Sequence, residues 1–115
     1  MFVIKNEKRY EILAKEFTFP SDKVAYYSIE IKNSLDRILA YVFNYTDIFY
    51  IRSIDENLLC DYIKHHSKNN FNQVSFDEVL KDTKNFLYFS KYIKGIKSVP
   101  KMNLSVSNFS LWTQL

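Results

Sequence analysis

Apolar residues recur every three or four positions along most of this 115-residue chain, which is the spacing of one face of an α-helix. The pattern predicts a short amphipathic helix over residues 6–17 and a long helix over residues 22–44. Pro20 marks a break between them, and Ser21 is the expected N-cap of the long helix. Because apolar positions cover much of the long helix's circumference, we expect it to be the central one.

Two later helices are predicted by sequences typical of a capping box, in which a serine hydroxyl and a glutamate three residues later bond each other's backbone N–H groups. These sequences are Ser53-Ile54-Asp55-Glu56 and Ser75-Phe76-Asp77-Glu78. A polar stretch at residues 67–70 should end the third helix. Gly95 should follow the fourth helix, where a residue with positive φ often terminates helical structure.

We therefore predict an all-α fold, a compact orthogonal bundle of four to five helices over residues 1–97. An irregular C-terminal tail over residues 98–115 either belongs to the same domain or binds a partner. The composition agrees, because one glycine and two prolines are too few for the turns of an all-β domain. Apolar residues make up 47% of the chain, enough for a core, and the aromatic share of 17% means that some rings must reach the surface.

Nothing in the sequence points to membrane insertion or export. No apolar run is long enough to span a bilayer, and the N-terminus has no apolar segment followed by a cleavage site. Cys60 is the only cysteine, so an intrachain disulfide is impossible. We expect a cytoplasmic protein.

Candidate catalytic groups are few. His65 and His66 occupy adjacent helix positions that point about 100° apart, so they should not share a ligand site. Cys60 is not at the i,i+4 spacing of a helical metal-ligand pair with either. We expect surface histidines near a helix C-terminus, a packing cysteine, and no metal, cofactor or enzymatic activity. The absence of a glycine-rich loop also excludes a phosphate cradle of the P-loop or Rossmann kind.

Charge is distributed unevenly. Residues 1–80 carry ten Lys or Arg against twelve Asp or Glu, whereas residues 81–115 carry six Lys and one Asp, so the net charges are −2 and +5. On an ideal helix, Lys81, Lys84, Lys91 and Lys94 fall within an arc of about 140°. This row could follow phosphates or meet carboxylates of a partner, and it could equally be an ordinary solvated face.

The tail contains large apolar residues, including the only tryptophan, without helical spacing. Because chain ends are normally polar, an apolar tail should dock on its own domain or meet a partner. Trp112 is the expected anchor in either case.

Residues 54–93 resemble the SAM-like core-binding domain of tyrosine recombinases. In that domain a polar loop precedes a helix with the pattern aromatic-x-x-Leu-x-x-aromatic-aromatic, and the corresponding run here is Lys81-Asp82-Thr83-Lys84-Asn85-Phe86-Leu87-Tyr88-Phe89. The resemblance implies a SAM-like helical fold and, as one alternative function, a stand-alone DNA-binding module. The catalytic half of a recombinase is missing from this chain.

A second resemblance spans nearly the whole chain, which is similar to the swarming motility protein family SwrA. The matching pieces are Lys8-Arg9-Tyr10-Glu11, Asn44-Tyr45-Thr46, Ser53-Ile54-Asp55-Glu56 and Ser107-Asn108-Phe109-Ser110-Leu111-Trp112-Thr113-Gln114. Order and spacing agree, apart from a one-residue shortening after Trp112.

The SwrA resemblance implies a non-enzymatic transcriptional co-regulator. It would act with a DNA-bound response regulator such as DegU, raise transcription of flagellar genes and be controlled by a Lon-type protease. The expected partner-binding residues are Asn108, Phe109, Leu111 and Trp112. The lysine row would contact the partner or nearby promoter DNA. A homo-oligomer whose exposed rings pair with each other is a third possibility.

Overall fold

The computed structural model describes residues 2–26, 28–68, 75–97, 99–100 and 102, with the side chains of residues 2–6, 24, 26, 67 and 68 excepted. Four α-helices make up most of this part of the chain: α1 (Phe2–Glu16), α2 (Ile29–Tyr45), α3 (Glu56–Lys68) and α4 (Phe76–Tyr88). Two 3₁₀ turns, Ser21–Tyr26 and Ile51–Ser53, precede α2 and α3. The predicted all-α class is confirmed, since no strand occurs in the described ranges.

One hydrophobic core joins all four helices. α2 packs against both α1 and α4, and α4 packs against α3. Burial of these large apolar side chains is the main favourable contribution to folding. The core residues are Leu13, Phe17, Leu35, Ile38, Leu39, Val42, Ile51, Ile54, Leu59, Tyr62, Ile63, Val79, Leu80, Phe86, Phe89 and Ile93.

The long helix starts later than its apolar pattern predicts. Residues Ser21–Tyr26 form a 3₁₀ turn, and Ser28 is the N-cap of α2, so the assignment of this role to Ser21 was wrong. The backbone of Ser28 is extended, and its hydroxyl accepts a hydrogen bond from the N–H of Ile31 at 3.2 Å. An extended N-cap ends any helical bonding from the preceding residues, which is why the two segments are separate.

The first predicted capping box is also wrong. Ser53 is the last residue of a 3₁₀ turn, and the carboxylate of Asp55 accepts from the N–H of Leu58 at 2.9 Å. The turn allows both Ile51 and Ile54 to be buried, and this packing leaves Asp55 at the start of α3. At the second box the hydroxyl of Ser75 accepts from the N–H of Glu78 at 3.2 Å, so the predicted serine cap of α4 is confirmed.

Helix α4 ends in a way that the sequence did not predict. After Tyr88 the chain continues as a π-helical segment, Phe89–Ile93, and the N–H of Lys94 bonds the carbonyl of Phe89 at 2.9 Å. Gly95 then adopts a φ of +68°, which confirms its predicted role as the helix terminator. No helix in the described ranges is long and apolar enough to cross a membrane.

Candidate partner-binding surface

The chain that follows Gly95 turns back beside the end of α4 and forms a recess of about 660 Å³. We call it the tyrosine groove. Its floor and walls are mainly apolar, and two lysines stand among the lining residues. The lining residues are Leu87, Tyr88, Lys91, Tyr92, Gly95, Ile96, Lys97, Val99, Pro100 and Met102.

Two exposed tyrosines mark the mouth of this groove. Tyr88 and Tyr92 lie four residues apart, and their ring centroids are 5.3 Å from each other. Tyr92 keeps 59% of its surface exposed. The ammonium of Lys91 lies 5.3 Å from the centroid of the Tyr92 ring, which is within the range of a cation–π contact. Tyrosine is among the residues enriched at protein-binding surfaces.

The four lysines of the predicted row are distributed between different parts of the surface. Lys91 lines the tyrosine groove, whereas Lys81 lines a smaller polar recess between α2 and α4. Lys84 is exposed on α4 and Lys94 is half-buried. The π-helical segment contributes to this separation, because i→i+5 bonding turns the chain through a smaller angle per residue than an α-helix does. A continuous lysine face stays a prediction.

The polar recess of about 280 Å³ lies beside a buried carboxylate that the sequence did not single out. Asp82 has none of its surface exposed. Arg37 donates from Nε and a terminal nitrogen to the two carboxylate oxygens at 2.7 and 2.6 Å, and the hydroxyl of Tyr62 donates at 2.7 Å. The hydrogen bond to Asp82 raises the pKa of Arg37. Burial, followed by the negative charge of Asp82, raises the pKa of Tyr62.

A third recess, of about 350 Å³, lies between α1 and α2. Its walls are apolar and include Tyr10, Phe17 and Leu39. Its charged lining residues, Lys32 and Asp36, form an i,i+4 ion pair at 2.7 Å. The two opposite charges compensate each other, so this recess offers little electrostatic preference for a charged ligand.

The histidines are not the surface residues that the sequence suggested. His65 and His66 are both half-buried, and their ring centroids are only 5.1 Å apart. His65 packs on the rings of Tyr41 and Tyr45, and His66 packs on Tyr62. Adjacent helix positions diverge by about 100°, but both ring directions are covered here: His65 meets two tyrosines of α2, and His66 meets Tyr62 one turn earlier on α3.

Burial, with a smaller contribution from His65, lowers the pKa of His66. Its Nδ1 atom is buried and has no hydrogen-bond partner within the part of the chain that is described. Across those same residues, no three or more His, Cys, Asp or Glu side chains come together as a metal site. Cys60 packs against the core as predicted, and its pKa is raised, first by burial and then by Glu56 and Asp61.

Arg9 is a buried cation whose role the sequence gave no reason to expect. It is only 8% exposed, and its guanidinium donates to four carbonyl groups at and beyond the C-terminus of α2. These carbonyls belong to Val42, Phe43, Thr46 and Ile48. The negative end of the α2 dipole supplies the compensating charge.

The other predicted site residues belong to the C-terminal tail. Asn108, Phe109, Leu111 and Trp112 lie outside the described residues. No family model, curated protein or solved structure matches this chain.

Proposed function

We propose that this protein is a non-enzymatic adaptor that binds a DNA-bound transcription regulator through the tyrosine groove and changes the regulator's activity at promoters. The observation that carries the proposal is the pair of exposed rings, Tyr88 and Tyr92, beside Lys91 at the mouth of an apolar recess. Tyrosine, tryptophan and arginine dominate the binding energy of protein interfaces, and apolar pockets around them exclude water.

Two buried ionisable groups, Asp82 and Arg9, support a binding role over catalysis. Asp82 accepts three charge-assisted or phenolic hydrogen bonds, and Arg9 donates to four carbonyls. Groups held in this way stabilise the fold and have little capacity left for proton transfer to a substrate. We therefore place the proposed function at the surface of the protein.

The resemblance to the SwrA family supports the class of partner. It favours a response regulator of the DegU kind, acting at promoters of motility or related genes, with Lon-type proteolysis controlling the amount of adaptor. In this proposal the adaptor contacts promoter DNA weakly or only through the regulator.

A gel-shift experiment with purified components tests the proposal. A labelled promoter duplex carrying a bound DegU-type response regulator should shift further when the chain is added, and the duplex without the regulator should not shift. Tyr92→Ala should weaken the further shift by about tenfold or more, since loss of an interface hot spot costs at least this much. Tyr45→Ala is the matched control, because Tyr45 is 61% exposed but lies on α2 next to His65.

Two other outcomes have a clear meaning. Retardation of the naked duplex at low salt, declining steeply as salt is added, would support the stand-alone DNA-binding module. An undiminished further shift with Tyr92→Ala would show that the regulator does not bind at the tyrosine groove. Light scattering of the purified chain distinguishes a monomeric adaptor from a homo-oligomer.

A further inference from the structure

We infer that the tyrosine groove receives an acidic amphipathic segment of the partner protein, with apolar side chains on the floor of the groove and carboxylates at its lysines. This inference rests on the proposed adaptor function and adds the chemistry of the bound segment. Three observations carry it: the sign of the charges at the groove, the burial of the nearest carboxylate in the sequence, and the apolar floor.

The charges at the groove have one sign. Lys91 and Lys97 line it, and none of its described lining residues is Asp or Glu. The two other recesses differ, because the polar recess contains Glu30 and Glu78 as well as Lys81, and the recess between α1 and α2 contains the Lys32–Asp36 pair. Of the three recesses, the tyrosine groove alone favours a negatively charged ligand by simple charge complementarity.

The positive charge is also not neutralised from within its own part of the chain. Residues 81–115 contain six lysines, and Asp82 supplies the one carboxylate side chain among them. Asp82 is completely buried and is held by Arg37 and Tyr62. A carboxylate in that position cannot turn to meet Lys91 or Lys97, and within the described residues neither lysine forms an ion pair, so both ammonium groups are open to carboxylates of a partner.

The apolar floor favours a peptide over a nucleic acid. Leu87 of α4 and, from the chain after Gly95, Ile96 and Met102 are among the apolar residues that line the groove. A phosphate backbone would meet the lysines but leave this floor in contact with water. Leucine-like side chains would cover it, and about 25 cal/mol is gained for each Å² of apolar surface removed from water.

Lys91 is already placed for such a contact. Its ammonium is held above the Tyr92 ring, so the cation, the ring and the apolar floor form one continuous surface. A carboxylate that reaches Lys91 brings its neighbouring apolar residues over Tyr92 and into the groove. The segment that fits has acidic residues alternating with apolar ones at helical spacing.

Fluorescence anisotropy with labelled probes tests this assignment on the full chain. The first probe, the acidic peptide, has leucines at helical spacing and glutamate elsewhere, and the second, the lysine peptide, has lysine in place of glutamate. The third is a peptide of residues 103–115, which has no charged side chain, and the fourth is a single-stranded oligonucleotide. The acidic peptide should bind at least about tenfold more tightly than the other three.

Charge reversal supplies the matched comparison. Lys91→Glu should weaken binding of the acidic peptide by about tenfold or more and strengthen binding of the lysine peptide. Lys15→Glu should leave both affinities unchanged, because Lys15 is exposed on α1 and does not line the groove. The circular dichroism of both variants should match that of the wild type, which checks that they fold.

The assignment is overturned if the lysine peptide or the peptide of residues 103–115 binds as tightly as the acidic one, if the oligonucleotide binds more tightly, or if no probe binds. These failures are separate from failure of the adaptor proposal. A further gel shift that depends on Tyr92, without acidic-peptide binding, would retain the adaptor and reject the acidic segment. Acidic-peptide binding that depends on Lys91, without a further gel shift, would retain the acidic segment as the groove's ligand and reject the adaptor function.

Discussion

A carboxylate with no exposed surface is tolerated in a folded chain only where cations and hydrogen-bond donors replace the water that it has lost. Asp82 meets this condition through Arg37 and Tyr62, which approach from α2 and α3. The three side chains therefore join three helices at one point. Such a group contributes to specificity as well as to stability, because other packings would leave the charge without donors.

Replacing Asp82 with asparagine tests how much this junction contributes. The amide has no charge to balance Arg37, so we expect the free energy of unfolding to fall by roughly 3 kcal/mol. This value is towards the low end for a broken buried ion pair, because Arg37 retains some access to water. Urea unfolding measures this loss, provided that the m-value of the variant equals that of the wild type. Asp36→Asn, which breaks the exposed pair with Lys32, should change the value by less than about 0.5 kcal/mol. Equal losses would contradict this assignment.

His66 should make stability depend on pH. Burial lowers its pKa in the folded chain below the ordinary value of 6.5. The unfolded chain therefore binds a proton first as the pH falls below 6.5, and the free energy of unfolding declines until the folded chain is also protonated. This contribution is fully present above 6.5. His66→Phe keeps a ring against Tyr62 and should flatten the decline that begins as the pH falls below 6.5, measured by urea midpoints. An unchanged slope would exclude His66 as its source.

At the level of the elements, Arg9 links α1 to the C-terminus of α2. Its guanidinium carries five N–H donors on three nitrogens, whereas an ammonium group has three donors on one nitrogen and cannot reach four separate carbonyls. Arg9→Lys should lower the free energy of unfolding by about 2 kcal/mol and speed hydrogen exchange at the N–H of Thr46, which bonds the Val42 carbonyl. Arg52→Lys is the control, because Arg52 is exposed and stacks on Tyr50, and its cost should stay below about 0.5 kcal/mol. Similar costs at both positions would contradict the proposed link.

The helices were predictable because their signals are local. Apolar periodicity identified α1 and α2, and capping sequences identified α3 and α4. Ser75 and Gly95 were assigned correctly because capping and positive φ depend on neighbouring residues. Ser28 and Asp55 were missed because several possible caps lie close together there. The choice between them depends on which apolar residues the tertiary packing buries, as with Ile51 and Ile54.

The candidate surface was only partly predictable for the same reason. Lys91 was selected from helical spacing, but its association with Tyr88 and Tyr92 at a recess depends on the chain after Gly95 turning back. The π-helical segment, Phe89–Ile93, has no strong sequence signature that would have predicted it. Arg9 lies 33 to 39 residues from the carbonyls that it bonds, a separation beyond any local pattern.

For the whole molecule, the −2 charge of residues 1–80 and the +5 charge of residues 81–115 are joined through one hydrophobic core. Leu39 and Val42 of α2, like Val79 and Phe86 of α4, belong to that core, so α4 and the lysines that it carries are anchored to the rest of the fold. The positive charge of Lys81, Lys84 and Lys91 is therefore carried by helical segments of the fold.

The burial of Asp82 has a kinetic consequence for a partner that approaches from a distance. With that carboxylate turned inward, the lysines of α4 and the residues after it attract acidic surfaces before any contact forms, over a range of roughly 8 Å at physiological salt. Salt should therefore slow the encounter between the two proteins, while the lifetime of the complex once formed should depend mainly on the rings and the floor beneath them. A cell could then adjust how often the complex forms without altering how long it lasts.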